Sequence, residues 1–420
     1  MKYEKLGEHV FQVRGISFKP ENIITTKKDG YVPVIRSNNI TEEGFKESDL
    51  IYINKEFIRS EQVIKGGDLV LTASSGSKKT IGKNIQFDSD FNGSFGAFCK
   101  LVRPKKSIDS KYLYHFFKTR FFRDSIERIV QGANIANLKN EYIDDLKILL
   151  PPLDDQIRIA TLLSKVENLI SRRREQIKQL DQLLKSVFLE IFCLKNGNVK
   201  KWIIEPLSAC TEIVSGVTKG KKYNGNKLRE VPYMRVANVK DGYLNLSEIK
   251  TIEVTEAEIH KYKLISGDLL LTEGGDPDKL GRGAVWSCEI DECIHQNHIF
   301  RVRAIGNSVN PVFLSALMAS KYGKSYFFKA AKQTTGIASI NSTQLKAFPL
   351  IKPPIDLQNR FAAIVNKVES VRAQYTESLT NIESFYGTLS QKAFKGDLDM
   401  SRVPIVEMRG KGDLNYFELM

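Results

Sequence analysis

The chain has 420 residues, 42% hydrophobic and 27% charged, a balance typical of a folded globular protein. Its 63 Lys and Arg residues against 49 Asp and Glu give a net charge of +14, which favours a polyanionic partner, nucleic acid before a membrane. No apolar run approaches the length of a membrane span and no signal-peptide core is evident, so we expect a cytoplasmic protein. Five cysteines, an odd number, predict reduced thiols and exclude a complete disulfide framework.

Residues 1–150 predict a first globular domain with a strand-rich front and a helical back. The strands are expected where short β-type runs are separated by Gly, Asn and Asp, at 31–37, 68–74, 84–88 and 95–103. A helix is expected over 110–130, where aromatic and aliphatic residues recur at helical spacing.

Residues 151–195 predict a long coiled-coil helix that follows a Pro-Pro pair. Its apolar positions alternate in steps of four and three residues over more than four heptads, and one Arg fills the only polar position. The seam positions are Ile159, Leu163, Val166, Ile170, Arg173, Ile177, Leu180, Leu184, Val187 and Ile191. A long core helix of a helical domain is the alternative explanation of this stretch alone.

Residues 196–352 repeat the layout of the first domain. GDLVLT at 67–72 returns as GDLLLT at 267–272, and VPVIRSNNI at 32–40 returns as VPYMRVANV at 231–239. Between such landmarks the two copies differ, as in SSGSKKTIGKN at 74–84 against EGGDPDKLGRG at 273–283. The scaffold is therefore repeated while the surface diverges. Such a pattern would allow one protein to recognise two different targets.

A second helix at 353–398 repeats the first at an offset of 202 residues. Nine of the seventeen positions from Pro151 to Glu167 are identical in the second copy. Its seam positions include Phe361, Val365, Val368, Arg372, Tyr375 and Leu379. The sequence thus predicts an α+β fold with two duplicated globular domains alternating with two long helices, and a tail at 399–420 without an assigned role.

Candidate catalytic and metal motifs are weak. Asn310–Phe313 resembles the Asn-Pro-Pro-Phe element of adenine methyltransferases, but a helix N-cap followed by Pro explains it, and no glycine-rich loop precedes it. GSKKTIGK at 76–83 departs from a phosphate-binding loop in its spacing and lacks the Ser or Thr that would bind magnesium. Cys288, Cys293, His295 and His298 fit no compact zinc pattern. We therefore predict no catalytic site, metal or cofactor on this chain.

The order of these landmarks resembles the specificity subunit of a type I restriction–modification system. The resemblance covers residues 1–398 and depends on GDLVLT and GDLLLT, the entries PPLDDQIRIA and PPIDLQNRFA, HQNHIFRVR at 295–303 and QKAFKGDL at 391–398. It implies that each globular domain is a target-recognition domain for one half of a bipartite DNA sequence. It also implies that the helices pair antiparallel, hold the domains apart and dock two methyltransferase subunits.

Partners and cofactors follow from the same resemblance. Double-stranded DNA and modification subunits are expected, with S-adenosylmethionine, ATP and Mg on the partner subunits, while the sequence leaves open whether restriction subunits join. Duplication suits two half-sites in pseudo-twofold arrangement, with the helices setting their spacing. The alternatives from other classes are a stand-alone DNA adenine methyltransferase and a structural coiled-coil scaffold.

Side chains that could contact phosphates or base edges are Arg, Lys, Asn and Gln on the divergent surfaces. The candidates in the first domain are Arg36, Asn38, Asn39, Lys78, Lys79 and Lys83. Those in the second are Lys221, Lys222, Arg235, Asn238, Lys240, Arg282, Gln296 and Asn297. Arg36 and Arg235 rank first because they end matched strands in both copies, although a solvated surface role is the alternative for each residue.

Overall fold

The computed structural model describes residues 2–131, 138–193, 202–223, 227–275, 280–334, 337–400 and 403. The chain divides into two compact units that are discontinuous in sequence. The first contains Met1–Arg174 and Glu377–Met420, and the second contains Glu175–Thr376. Each unit therefore contains one portion of each long helix. Apart from residues 399, 400 and 403, the tail lies outside the described residues.

The first unit combines short sheets with three helices. Its strands are β1 (Lys2–Lys5), β2 (Val10–Arg14), β3 (Tyr31–Ile35), β4 (Ile40–Thr41), β5 (Gly44–Phe45), β6 (Ile51–Asn54), β7 (Leu69–Thr72), β8 (Asn84–Gln86), β9 (Ser94–Phe95), β10 (Cys99–Pro104) and β11 (Lys147–Leu150). Its helices are α1 (Ser110–Lys118), α2 (Arg120–Gln131) and α3 (Asn140–Asp144), followed by α4 (Leu153–Phe192), which continues into the second unit. The main sheets have the orders β2-β10-β7-β8 and β6-β3-β9.

Strand β7 lies at the centre of the first unit and is buried on both faces. Because side chains alternate across a strand, Leu69 and Leu71 enter the core that contains α1 and α4, whereas Val70 enters a second core with Ile35 and Phe95. This explains the uninterrupted apolar run in GDLVLT. The predicted strands at 31–37, 68–74 and 84–88 are confirmed as β3, β7 and β8, whereas the predicted strand at 95–103 is divided into β9 and β10 by a turn over residues 96–98.

The predicted single helix over 110–130 is wrong in one respect, because it is broken at Thr119. That residue has extended backbone angles, and its hydroxyl accepts the amide of Phe122 at 3.1 Å while donating to the carbonyl of Phe116 at 2.6 Å. The Thr119 hydroxyl bonds to the neighbouring backbone, and it thereby terminates α1 and caps α2. Helical periodicity continues across such a break and therefore does not reveal it.

The second unit has the same strand order in its main sheets, β13-β20-β16-β18 and β15-β14-β19. Its strands are β12 (Ile203–Pro206), β13 (Thr211–Ser215), β14 (Arg229–Met234), β15 (Lys250–Val254), β16 (Leu269–Thr272), β17 (Gly274–Gly275), β18 (Gly283–Val285), β19 (Ile294–His295), β20 (Ile299–Ala304), β21 (Lys332–Thr334), β22 (Ile337–Ser339) and β23 (Pro349–Lys352). Its helices are α5 (Glu256–Tyr262), α6 (Pro311–Ala319), α7 (Lys321–Ala330) and α8 (Ser342–Lys346), followed by α9 (Ile355–Lys395), which continues into the first unit.

The acidic residue of each GDL motif has a structural role. Asp68 is buried and accepts both a Nε–H and a Nη2–H bond from Arg103, at 2.8 and 2.7 Å, and Asp268 accepts the same pair of bonds from Arg303 at 2.7 and 2.8 Å. Such bidentate pairs are strong and directional. They join the turn before the central strand to the neighbouring strand in both units.

The glutamine of each Pro-Pro-x-Asp-x-Gln entry is also buried. Gln156 accepts the amide of Asp109 at 2.8 Å and donates to the carbonyl of Pro151 at 2.9 Å. Gln358 likewise accepts the amide of Asn310 and donates to Pro353. The repeated motif therefore fixes the start of each long helix to the N-cap of the helix that packs beside it.

The predicted seams lie on the buried stripes of α4 and α9. Ile159, Leu163, Val166 and Ile170 are buried, and the middle positions from Arg173 to Leu184 are half-buried. Ile159 and Leu163 pack into the globular core of the first unit, so the ends of the seam contact a domain as well as a helix.

The second helix shows the same pattern, with Phe361 and Val368 buried and Val365, Arg372, Tyr375 and Leu379 half-buried. Within the second unit the Phe188 and Phe361 ring centroids are 5.7 Å apart, and Arg372 forms an ion pair with Asp181. Within the first unit, Arg174 contacts Glu383 at 2.6 Å. None of the helices in the described ranges combines the length and apolar character needed to cross a bilayer.

Candidate nucleic-acid interface

Four chain segments meet at one edge of the first unit, where several candidate residues lie. Strands β3 and β9 run parallel, pairing Ile35 with Phe95, and the amide of Gly96 donates to the carbonyl of Ile35 at 2.9 Å. The amide of Ile16 donates to the carbonyl of Phe95 at 2.9 Å, and the amide of Ala73 donates to that of Phe98 at 2.9 Å. The ends of β3 and β7, the segment after β2 and the β9–β10 turn are thus joined by backbone hydrogen bonds.

The second unit forms the same junction with different side chains. Gln296 donates its amide to the carbonyl of Met234 at 3.0 Å, Val217 donates to that of His295 at 2.9 Å, and Glu273 donates to that of His298 at 3.0 Å. We call each of these structures a four-segment junction. It brings Gln296 and Asn297 next to the end of β14, directly before Arg235.

A glycine is required at each junction because two backbones meet there. A Cβ atom on Gly15 would lie 2.1 Å from the carbonyl oxygen of Gly96, and one on Gly216 would lie 1.9 Å from that of His295. Both distances are far below contact distance. The repeated glycine therefore reflects close backbone approach.

The β9–β10 and β19–β20 turns differ between the junctions in the residues at their tips. Each turn is closed by a backbone bond, from Cys99 to Gly96 at 2.8 Å and from Ile299 to Gln296 at 2.9 Å. The tip carries Ala97 and Phe98 in the first unit, and Asn297 and His298 in the second. Phe98 is 68% exposed, although the residues on either side of the turn are buried.

The side chain next to each tip also differs. In the second unit, the carboxylate of Glu273 lies 2.6 Å from Nδ1 of His298, which fixes the orientation of the imidazole. The equivalent position in the first unit is Ala73. The two junctions thus share a backbone and present an apolar ring in one unit and a paired, polar ring in the other.

Arg36 and Arg235 mainly stabilise loops. Arg36 donates from Nη2 to the carbonyl of Asp49 at 2.6 Å, and Arg235 makes the equivalent bond to the carbonyl of Glu248 at 3.2 Å. Both side chains are half-buried, and each guanidinium group is bonded to a carbonyl thirteen residues downstream. This shared bond is a structural reason for their repetition at matched strand ends, and their DNA contacts stay predictions.

Asn39 and Asn238 are buried, which argues against direct contact with a base in this structure. Asn39 donates two hydrogen bonds, to the carbonyls of Lys46 and Ser48, each at 3.0 Å, and accepts the amide of Arg36 at 2.9 Å. Asn238 makes the equivalent three bonds. The amides are thus occupied in fixing a loop. Asn38, by contrast, is exposed and stays a predicted contact.

The lysines of the first unit are placed differently from one another. Lys78 and Lys79 are exposed on a short 3₁₀ turn that follows Ala73, so their predicted phosphate contacts are sterically open. Lys83 is half-buried and pairs with Glu42 at 3.2 Å. Its charge is therefore partly neutralised within the unit.

The remaining candidates of the second unit do not all lie at its junction. Lys221 pairs with Glu258 of α5 at 2.7 Å, while its neighbour Lys222 is exposed. Lys240 and Arg282 are half-buried on separate segments, as are Gln296 and Asn297 at the junction itself. Gln296 is bonded through its amide to the carbonyl of Met234 at the end of β14, whereas the amide of Asn297 donates to the carbonyl of Val217 at 2.9 Å.

The geometry does not favour a zinc site at the cysteine–histidine cluster. Cys288 is exposed, whereas Cys293 is buried, and burial raises the pKa of its thiol to about 12. Burial likewise lowers the pKa of His295 to about 3, and its Nδ1 lies 3.0 Å from the carbonyl of Ile299. His298 is engaged by Glu273. These four residues do not form a group of potential ligands in the described part of the chain.

One other group in the described ranges could in principle hold a cation. Donor atoms of Glu4, Glu8 and His9 lie within 4.8 Å of one another. Both ring nitrogens of His9 are already engaged, by Ser107 and by Glu4, each at 2.8 Å. The cluster is explained as a hydrogen-bonded pair at the surface.

The Asn310–Phe313 element is a helix start, as the sequence predicts. Asn310 caps α6 by accepting the amide of Val312 at 2.9 Å, Pro311 occupies the first turn, and the ring of Phe313 is fully buried. A side chain committed to the core is not available to a flipped base.

A family model described as the type I restriction modification DNA specificity domain matches residues 2–180 and 210–384. The chain belongs to this family. The type I restriction enzyme StySPI specificity subunit of Salmonella potsdam is 30% identical over 406 residues, which cover 92% of this chain and 86% of that protein. The EcoKI specificity subunit of Escherichia coli is 29% identical over 408 residues, with the same coverage of 92% and 86%.

Solved structures of this family share the fold. The S subunit of the type I restriction–modification system from M. genitalium matches with a TM-score of 0.54 and 16% identity, covering 94% of this chain and 96% of that one. A chain from a structural study of complex assembly and conformational transition of the type I R-M system matches with a TM-score of 0.56 and 16% identity, covering 94% of this chain and 98% of that one.

Two features of this specificity-family chain were missed by sequence reasoning. Phe98 was treated as a strand residue, and the pairing of Glu273 with His298 was not foreseen. One signal was available, because aligning FGAFCKLVR with HQNHIFRVR places Phe98 opposite His298. A matched position whose chemistry changes indicates a surface that differs between the two units.

Proposed function

We propose that this chain is the DNA sequence-recognition subunit of a type I restriction–modification complex. Each globular region recognises one half of a bipartite double-stranded target. The observation that carries the proposal is the pair of four-segment junctions in a member of the specificity family. They share a backbone while differing in exposed side chains, as two readers of unlike half-sites should.

The helices α4 and α9 act, in this proposal, as an antiparallel coiled coil that sets the spacing of the half-sites and docks two methyltransferase subunits. Leu169 and Phe385 support docking, since both are large apolar side chains that remain exposed on the helices of the first unit. The pseudo-twofold duplication suits two half-sites on one duplex.

The chain confers specificity and does not itself catalyse methyl transfer or cleavage. S-adenosylmethionine, ATP and Mg belong to the modification and restriction subunits. The complex acts in the cytoplasm, where chromosomal DNA is found. Phosphate contacts from exposed lysines supply affinity, which should fall steeply as salt concentration rises.

Co-expression with the methyltransferase subunit of its own system tests the proposal. The chain should co-purify with that subunit, and methylome sequencing should show a two-part modified sequence that is absent when the chain is omitted. Methyl transfer by the isolated chain would instead favour the stand-alone methyltransferase. Co-purification without sequence-dependent methylation would favour the structural scaffold.

A domain exchange provides the sharper version of this experiment. Residues 1–150 are replaced by the corresponding region of another family member, and the modified sequence is determined again. One half of the sequence should change while the other half stays the same. A change in both halves would show that the two regions recognise DNA jointly.

A further inference from the structure

We propose that the turn tips of the two junctions contact bases directly. Phe98 sets a base preference in the first half-site by apolar contact, and His298, positioned by Glu273, sets one in the second half-site by hydrogen bonding. This inference rests on the proposed function and assigns it to particular residues.

The tip of the first turn is held by backbone hydrogen bonds, and its ring is exposed. The carbonyl of Phe98 accepts the amides of Ala73 and Ser74 at 2.9 and 3.0 Å, and the Cys99–Gly96 bond closes the turn. The phenyl ring is nevertheless 68% exposed. Removing a large apolar ring from water on binding is favourable, and a turn held by backbone bonds loses little conformational freedom when it binds.

The charge around the first turn favours DNA as the partner that covers the ring. The segment joined to Phe98 runs from Ala73 through the exposed Lys78 and Lys79, and it contains no acidic residue before Asn84. An apolar side chain bonded to a segment that carries exposed lysines matches DNA, in which phosphates flank bases that offer a thymine methyl group or a base step.

The second unit presents a polar ring at the equivalent turn. The turn backbone is the same, but the ring is His298, which remains more than half exposed and has Glu273 at 2.6 Å from Nδ1. When Nδ1 donates to that carboxylate, Nε2 is a hydrogen-bond acceptor. The side-chain amide of Asn297 lies 3.5 Å from Nε2, a long contact that the exocyclic amine of a base can replace. A polar group therefore stands where the first unit presents an apolar one, at the same backbone position.

The test uses the full chain in complex with its methyltransferase subunit. Wild type, Phe98→Ala and His298→Ala are each used to select sequences from a randomised DNA pool, and the modified sites are mapped by methylome sequencing. Phe98→Ala should lower discrimination at one position of the first half-site by about tenfold or more, and His298→Ala should do so in the second half-site. Glu273→Gln should weaken the same position as His298→Ala, by a smaller factor.

Matched controls separate a base contact from a general effect. Phe11→Ala removes a phenyl ring of comparable exposure, 56%, that lies on β2 and not at the turn tip, and it should leave the selected sequence unchanged. Phe98→Leu keeps an apolar side chain and should retain the preference. If Phe98→Ala and Phe98→Leu both abolish binding, the ring is structural and the inference is wrong.

Two further outcomes are decisive. If the wild-type complex selects no two-part sequence, the proposed function fails. If the wild type selects one and Phe98→Ala and His298→Ala select the same sequence, only this inference fails. Replacing thymines of the first half-site by deoxyuridine distinguishes contact with a thymine methyl group from packing against a base step. Binding that weakens for wild type but not for Phe98→Ala indicates contact with the methyl group. Unchanged binding indicates that the ring packs against a base step.

Discussion

Replacing Asp68 by Ala should strongly destabilise the first unit, although this residue is remote from the turn tip. Its carboxylate is 1% exposed and accepts three hydrogen bonds, two from Arg103 and one from the amide of Lys65 at 2.7 Å. The substitution leaves the amide of Lys65 without its acceptor, and it leaves the guanidinium of Arg103 with the carbonyl of Val63, at 2.9 Å, in place of a carboxylate. Side-chain hydrogen bonding to Asp68 also raises the pKa of Arg103, so the arginine remains charged.

Removing one partner of a buried ion pair costs about 3–5 kcal/mol, because the other charge stays desolvated. The Arg103 side chain is 21% exposed and water can reach part of it, so we expect a loss of about 3 kcal/mol, at the lower end of that range. For a unit of roughly 200 residues this corresponds to a fall in Tm of roughly 6–12 °C.

The assay is urea and thermal unfolding of the full chain. Asp88→Ala is the matched control, because it removes the Asp88–Lys111 pair at 2.5 Å, in which the aspartate is 74% exposed. An exposed pair contributes at most about 1 kcal/mol. The reasoning is refuted if Asp68→Ala and Asp88→Ala have equal stability, since burial would then not govern the contribution of the carboxylate.

Three further predictions concern the junction, the response to acid and the central helix. Gly15→Ala places a Cβ atom 2.1 Å from the carbonyl oxygen of Gly96, so it should lower stability and abolish selection of the first half-site. Gly76→Ala, whose Cβ would have no atom within 4 Å, should do neither in the same unfolding and selection assays. Burial lowers the pKa of His115 from 6.5 to about 3, so below pH 6.5 the unfolded chain binds a proton that the folded chain does not. The free energy of unfolding should therefore fall by about 2 kcal/mol between pH 7 and pH 5. His115→Leu should remove that loss, as measured by urea unfolding at the two pH values. Four residues inserted between Arg174 and Ile177 lengthen a helix by about 6 Å, between the rise of one and of two base pairs, and rotate its far end by about 40°, close to the twist of one base pair. Because the rotation favours one base pair, methylome sequencing should show a spacer one base pair longer, and an unchanged spacer would contradict the role of α4 as a ruler.

The duplication, the α+β class and the buried stripes of the long helices could be predicted from the sequence. Each is recorded in a periodicity or an offset that holds along the chain, such as the heptad spacing from Ile159 to Leu184 or the return of GDLVLT as GDLLLT. The break at Thr119 could not be predicted in this way, because the side-chain bonds that produce it leave the apolar spacing intact.

The roles of the candidate site residues were decided by tertiary structure. Arg36 and Asn39 have the chemistry of base readers, yet carbonyls seven to thirteen residues away engage them, and those loops are brought back only by folding. A repeated residue can be scaffold or reader, and sequence alone does not separate the two. Phe98 is the converse: it looks like one more apolar residue of a strand until the turn from Gly96 to Cys99 places its ring in solvent. Burial depends on contacts between distant segments, and for that reason the sequence determined the architecture of this protein while the fold determined which side chains are free to recognise a partner.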